Sequence, residues 1–178
     1  KQIDMNVIKQ RSQDDNVVAV LKNLISILGL RVSMSSIEQT AYHPDYPSIN
    51  SITDALYDWN IENVPVRISV EELREAALPV LVHFKKNDGH FVIVTSVTNS
   101  TIQYVDPEKG SVAENVHDFE EKWTGVTILL QTKDFIEDNF AEKRRSEWFE
   151  KALRFATIAV VAIVAIIPLY IFKSGFFF

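Results

Sequence analysis

The chain has 178 residues, 47% of them hydrophobic, and its 24 Asp and Glu against 18 Lys and Arg give a formal net charge of −6. That acidic balance argues against nucleic acid as a partner, because nothing in it would neutralise a run of phosphates. The absence of cysteine excludes disulfides, thiolate metal sites, CxxC redox chemistry and thiol catalysis.

The length allows one domain plus an appendage, at roughly 150 residues per domain. Nothing between Lys1 and Gln10 resembles a signal peptide. Val17, Val20, Leu21, Leu24, Ile25 and Leu28 fall at helical spacing, which predicts a strongly buried first helix with Gly29 as its C-cap. A short second helix is expected from Ser35 or Ser36, and a third from about Ser51 to Trp59, with Pro44 and Pro47 punctuating the loop between them. After Asn60 the pattern changes. Val64–Ile68 reads as a strand, Glu71–Ala77 as a helix and Val80–Phe84 as a second strand. Asn87-Asp88-Gly89 is a hairpin signal leading into a strand from His90 to Val97. Ile102–Val105 reads as a further strand, closed by the turn Asp106-Pro107-Glu108-Lys109-Gly110. Phe119–Trp123 reads as helical, Val126–Leu130 as a last apolar strand, and Asp134–Lys151 as a charged helix. Helices first and a mostly antiparallel sheet after them make an α+β fold.

From Phe155 to Phe172 the chain runs FATIAVVAIVAIIPLYIF without a charge. Eighteen helical residues at about 1.5 Å each reach some 27 Å, close to the hydrocarbon thickness of a bilayer. A buried core helix would keep a polar stripe, and this stretch has none, so it is expected to span a membrane. Lys143, Arg144, Arg145, Lys151 and Arg154 precede it and only Lys173 follows, which places the globular part on the cytoplasmic side. The same basic cluster reads as a contact with lipid headgroups. The expected organisation is a globular domain at 1–132, a charged juxtamembrane helix at 133–154, a transmembrane helix at 155–173 and a tail at 174–178. A missing initiator Met and a stop after Phe176, Phe177 and Phe178 suggest a processed or incomplete chain.

Of the four histidines, His43 lies in a Pro-rich loop and His117 opens a surface helix, so both read as solvated. His83 reads as a strand residue with a local hydrogen bond. A zinc site needs three or four closely spaced ligands, and no HxxxH or HExxH pair exists, so no metal and no cofactor is expected. His90 is different, because it follows a hairpin signal and opens the apolar strand HFVIVTSV, while Asp106 ends the neighbouring strand. An antiparallel pair of this kind can set an imidazole beside an orienting carboxylate, the base half of a nucleophilic triad. Asp-Pro is also a common way to start a turn, so the pair alone does not decide between the two readings.

VIKQRSQDDNVVAVLKNLISILGL, GHFVIV and YVDPEKG together resemble the bacteriocin-processing cysteine peptidases of family C39, papain-like domains at the N-termini of peptide-exporting ABC transporters. The similarity covers roughly residues 6 to 131. The resemblance implies a papain-like fold. It puts Gln10 at the oxyanion-hole Gln, Asp15 and Gly29 at the matching residues of the first helix, His90 at the base and Asp106 at its partner. The departure lies at the nucleophile: Asn16 stands where the family has cysteine, and Val17 where a glycine follows. Ser12 precedes the helix and would need a different register to reach His90. An amide nitrogen has no proton that a neutral imidazole usefully removes, whereas a thiol near pKa 8.5 gives one up readily.

HPDYPSINSITDALYDWNIENVPVRIS followed by an apolar helix also resembles the leading region of bacterial membrane proteins that fuse this domain to a vitamin K epoxide reductase-type bundle. That resemblance implies the regulatory domain of a disulfide-forming oxidoreductase whose cysteines lie elsewhere, in a chain continuing beyond Phe178 into further membrane helices. The expectation carried forward is a peptidase-like domain at the bacterial inner membrane. It would bind a peptide or dock a partner protein through Gln10, Asn16, His90 and Asp106 without cutting.

Overall fold

The structure, a computed structural model, describes residues 7–8, 16–86, 90–131 and 140–174, with side chains in the last stretch at 140–158 and 161–162. It divides into two compact units, Lys1–Asp138 and Asn139–Phe178.

The first unit opens with α1 (Asn16–Leu28), α2 (Met34–Gln39) and α3 (Ile49–Asp58), a 3-10 turn at Thr40–Tyr42 separating the last two. Three of these helix ends have a clear local cause. At the end of α1 Gly29 takes a φ of 68°, and the Leu30 N–H returns to the Ile25 carbonyl at 3.1 Å. This is the left-handed cap that a side chain would strain. The Ser33 hydroxyl accepts from the Ser36 N–H at the head of α2. Ser48 and Ser51 form a reciprocal capping box on α3, which moves that helix two residues ahead of its expected start at Ser51.

The remaining elements alternate with the sheet: β1 (Glu62–Arg67), α4 (Val70–Glu75), β2 (Val80–Phe84), β3 (His90–Val97), β4 (Thr101–Asp106), β5 (Gly110–Asn115), α5 (Val116–Lys122) and β6 (Trp123–Gln131). The six strands form one sheet in the order β1-β6-β2-β3-β4-β5, with every neighbouring pair antiparallel. Period-two alternation sorts the side chains of β2 and β3 onto two faces. Leu81, Phe91 and Ile93 join Val17, Leu21, Leu24, Ile52 and Leu56 in a core under α1 and α3. Val80, Val82, Phe84, Val92 and Val94 join Leu73, Phe119 and Trp123 in a second core under α4 and α5. Both central strands are therefore covered on both faces, which is why they read as continuous apolar runs. Burying each large side chain contributes on the order of 1.5–3 kcal/mol.

Two further expectations change. The segment Gly110–Asn115 is a strand and not the end of a turn: it pairs along β4 from Asp106↔Gly110 to Thr101↔Asn115. The helix expected at Phe119 begins at Val116, because the Asn115 side chain accepts from the Asp118 N–H and caps it earlier. The start of the charged helix expected at Asp134 lies outside the described residues, as does the Asn87-Asp88-Gly89 turn.

The described part of the second unit is one helix, α6 (Phe140–Ser174), running unbroken through the expected boundary between juxtamembrane and spanning segments. Trp148, Phe149, Leu153, Phe155, Ile158 and Val161 are exposed on it. Among the described residues no helix is long and apolar enough to cross a membrane. The expected span at 155–173 falls largely on positions whose side chains lie outside the description.

Candidate functional site

Asn16 is the first residue of α1, His90 the first of β3 and Asp106 the last of β4. The helix packs across the sheet so that its N-terminus meets the strand ends, and all three side chains are buried there, at 2%, 5% and 2% exposure.

The Asn16 amide is fixed from two sides. Its Oδ1 accepts from the Phe91 N–H at 2.7 Å, and its Nδ2 donates to the Phe91 carbonyl at 3.3 Å. Turning the amide over would set donor against donor and acceptor against acceptor, so the backbone of β3 dictates its orientation. Nδ2 also lies 3.1 Å from His90 Nδ1. An amide nitrogen only donates, so Nδ1 must accept, and the ring proton sits on Nε2. That nitrogen is 3.0 Å from Asp106 Oδ1 and donates to it. Asp106 Oδ1 also accepts the Glu108 N–H at 2.8 Å. The Phe84 ring stacks near the imidazole, with centroids 6.4 Å apart.

Burial pushes the Asp106 carboxyl up, but the His90 hydrogen bond, the Glu108 N–H and the nearby Lys109 ammonium outweigh it, and the group ends below its ordinary value of 3.8. Charge at Asp106 is thus preserved where it orients the imidazole. Chemically, the arrangement is the base half of a nucleophilic triad with an amide where the attacking group would stand at a helix N-terminus.

Asn16, His90 and Asp106 converge as the sequence expected, although they are far apart in the chain. Gln10, Asp15 and Ser12 lie outside the described residues. His83 finds the local partner foreseen for it. The Thr124 hydroxyl donates to the His83 carbonyl at 3.0 Å, so toward His83 Nδ1, 3.1 Å away, it can only accept. Burial and then the neighbouring His90 lower the His83 pKa. The His117 side chain is 81% exposed, as read. His43 departs from a merely solvated residue: its Nδ1 accepts the Asp45 N–H at 3.1 Å, and its Nε2 lies 3.1 Å from Asp54 Oδ2.

Sequence reasoning missed two things here. One is the Phe91 backbone clamp, because main-chain groups leave no residue signature. The other is Glu108, which with His90 and Asp106 offers three metal-ligand atoms within 4.8 Å of one another. One oxygen of each carboxylate is already engaged: Glu108 is ion-paired with Lys86, and Asp106 Oδ1 accepts from the imidazole and the Glu108 N–H.

Comparison with known proteins gives a consistent picture. A profile of the Peptidase C39 family matches residues 4–134. A lacticin-481/lactococcin-DR transport/processing ATP-binding protein of Lactococcus lactis subsp. lactis is 24% identical over 151 residues, covering 79% of this chain. This chain spans only 20% of that protein's length. Among solved structures, a double glycine motif protease from an AMS/PCAT transporter, in complex with the leader peptide, superposes with a TM-score of 0.63 at 20% identity, covering 71% of this chain and 91% of that one. The peptidase domain of Streptococcus ComA, a bifunctional ABC transporter of a quorum-sensing pathway, gives 0.62 at 20% identity, covering 71% and 97%. At these identities the structural likeness speaks for the fold alone. The second resemblance, to vitamin K epoxide reductase fusions, draws no support from these matches.

Proposed function

This chain belongs to the peptidase C39 family, and from that premise we propose that it binds a peptide at the family's cleft without cutting it. The observation that carries this reading is the Asn16 amide held 3.1 Å from His90 Nδ1 and fixed by Phe91. A peptidase of this class needs a group there that yields a proton to the imidazole and then attacks a carbonyl. An amide offers neither the proton nor a nucleophilic lone pair. The fold does not need a thiol, because it rests on the two cores on either face of the sheet, so loss of the thiol does not by itself remove the family's cleft. Such a cleft can hold an extended segment through main-chain hydrogen bonds and side-chain pockets. The leader peptide bound to the AMS/PCAT protease supports a peptide as the ligand class.

We propose further that the chain is tethered to a membrane through 155–173. Supporting this are the uncharged run from Phe155 to Phe172 and the exposed Phe155, Ile158 and Val161 on one side of α6, an apolar stripe that water alone does not stabilise.

Cleavage and binding must be measured together. Incubated with a Gly-Gly-containing peptide, the chain is expected to give no cleavage above a heat-denatured control while binding that peptide measurably by fluorescence anisotropy. Asn16→Cys restores a thiol beside His90 and is expected to bring back cleavage. Thiol-independent hydrolysis by the unaltered chain would sink the reading, and so would failure to bind any extended peptide.

A further inference from the structure

The side chains around the imidazole form more than a vestigial triad. A cavity of about 300 Å³ opens beside His90 and Asp106, and four of its eight lining residues are lysines: Lys85, Lys86, Lys109 and Lys122. They arrive from three elements: the segment just after β2, the β4–β5 turn and the end of α5. Asp106 and Glu121 line it too, so lysines outnumber carboxylates in the lining by four to two, in a chain whose net charge is −6.

The four ammonium groups are not equally occupied. Lys86 is paired with Glu108 and Lys122 with Glu114. Among the described residues Lys85 Nζ donates to a neutral acceptor, the Glu121 carbonyl, at 3.1 Å. Lys109 makes no ion pair or hydrogen bond among the described residues; it acts on Asp106 through charge alone. The Asp106 carboxylate is already engaged by His90 and the Glu108 N–H. Among the described residues, the cavity therefore presents two ammonium groups, Lys85 and Lys109, that no ion pair holds, beside the Asp106 and Glu121 side chains that also line it.

We infer that this cavity receives a carboxylate of the bound peptide, either an acidic side chain or a C-terminal carboxylate, and so makes the cleft selective for acidic peptides. The inference rests on the peptide-binding reading above and deepens it. The overall charge sharpens the argument: a chain of −6 repels acidic peptides at long range, so a preference for them reports the pocket and not the general field. At physiological salt that general field is screened beyond about 8 Å, whereas a carboxylate seated between Lys85 and Lys109 lies inside that distance. Charge complementarity of this kind discriminates between ligands more than it adds raw affinity.

The test uses three sets of equal-length, fluorescently labelled peptides and the full chain. The first is neutral and C-terminally amidated. The second is identical except for one Glu, walked through every position in turn. The third is neutral with a free C-terminal carboxylate. The expected result is binding about tenfold tighter at low salt for the third, or for one register of the second, with the gain shrinking as salt rises. K85E/K109E is expected to abolish or invert that gain, and K85Q/K109Q to reduce it, both checked for unchanged far-UV circular dichroism. The glutamine pair keeps the test alive should the glutamate pair fail to fold. Equal binding of all three sets overturns the pocket and leaves the peptide-binding reading standing. A gain that survives both lysine pairs also overturns it, because the carboxylate then sits elsewhere. Binding of none overturns the peptide-binding reading and the inference with it.

Discussion

Asn16 illustrates how a residue that removes chemistry can add structure. Its side chain joins the first turn of α1 to the backbone of β3 through two hydrogen bonds to Phe91 and a third to His90. Asn16→Ala would leave the Phe91 N–H and His90 Nδ1 without those partners at 2–5% exposure. An orphaned buried polar group costs about 1–3 kcal/mol, so the variant is expected to unfold at lower urea with a loss of about 2–4 kcal/mol. Asn16→Cys meets much of the same cost, since a thiol is only a weak donor and a weak acceptor where the amide offers a strong pair to the Phe91 backbone. The variant expected to regain cleavage is thus expected to be less stable. Equal urea midpoints for the unaltered chain, Asn16→Ala and Asn16→Cys would show that the clamp contributes nothing. The family resemblance made the identity of this position legible in the sequence, but not its anchoring, which depends on main-chain atoms.

At the scale of elements, His90 and Asp106 tie the start of β3 to the end of β4, and the tie carries a pH signature. The folded Asp106 carboxyl lies below its ordinary value of 3.8, so its contribution to stability is present above that value and is lost as pH falls through the folded one. Asp106→Asn keeps an oxygen acceptor but removes the charge, and a charge-assisted hydrogen bond exceeds a neutral one by about 1 kcal/mol. Urea unfolding from about pH 7 down to about pH 3 is expected to show this gap at neutral pH and to see it close toward the acid end. A gap that stays constant across the range would refute the assignment. The sequence made the core elements legible because pattern and burial agreed there: Val80–Phe84 and His90–Val97 are largely apolar and covered on both faces. It hid β5, because GSVAEN is polar and short, lies at a sheet edge, and is held by pairing with β4 alone. The cavity was invisible for a related reason. Lys85, Lys86, Lys109 and Lys122 share no motif, and only the meeting of two strand ends with α5 brings them together.

At the scale of the whole molecule, the question is what the exposed apolar residues of α6 face. Six large hydrophobic side chains between Trp148 and Val161 are 57–73% exposed, in a unit whose described part is a single helix. A lone helix has no core of its own in which to bury such residues, which is what motivates the membrane tether proposed above. A bilayer fits the sequence best. The helix passes from a stretch bearing Lys143, Arg144, Arg145, Lys151 and Arg154 into the uncharged run that ends at Phe172, and basic flanks stay on the cytoplasmic side. The chain expressed in bacteria is therefore expected to pellet with membranes, to resist alkaline carbonate, and to be shielded from protease added outside intact cells. Val161→Lys places a charge well inside the run, where insertion costs about 2.5–3.5 kcal/mol. That is enough to move a measurable fraction of a marginal span into the soluble pool, whereas Trp148→Lys, outside the uncharged run, should move little. Digestion of the first unit from outside intact cells would reverse the orientation. Recovery of the unaltered chain in the carbonate-soluble fraction would instead leave a partner protein as the cover for α6.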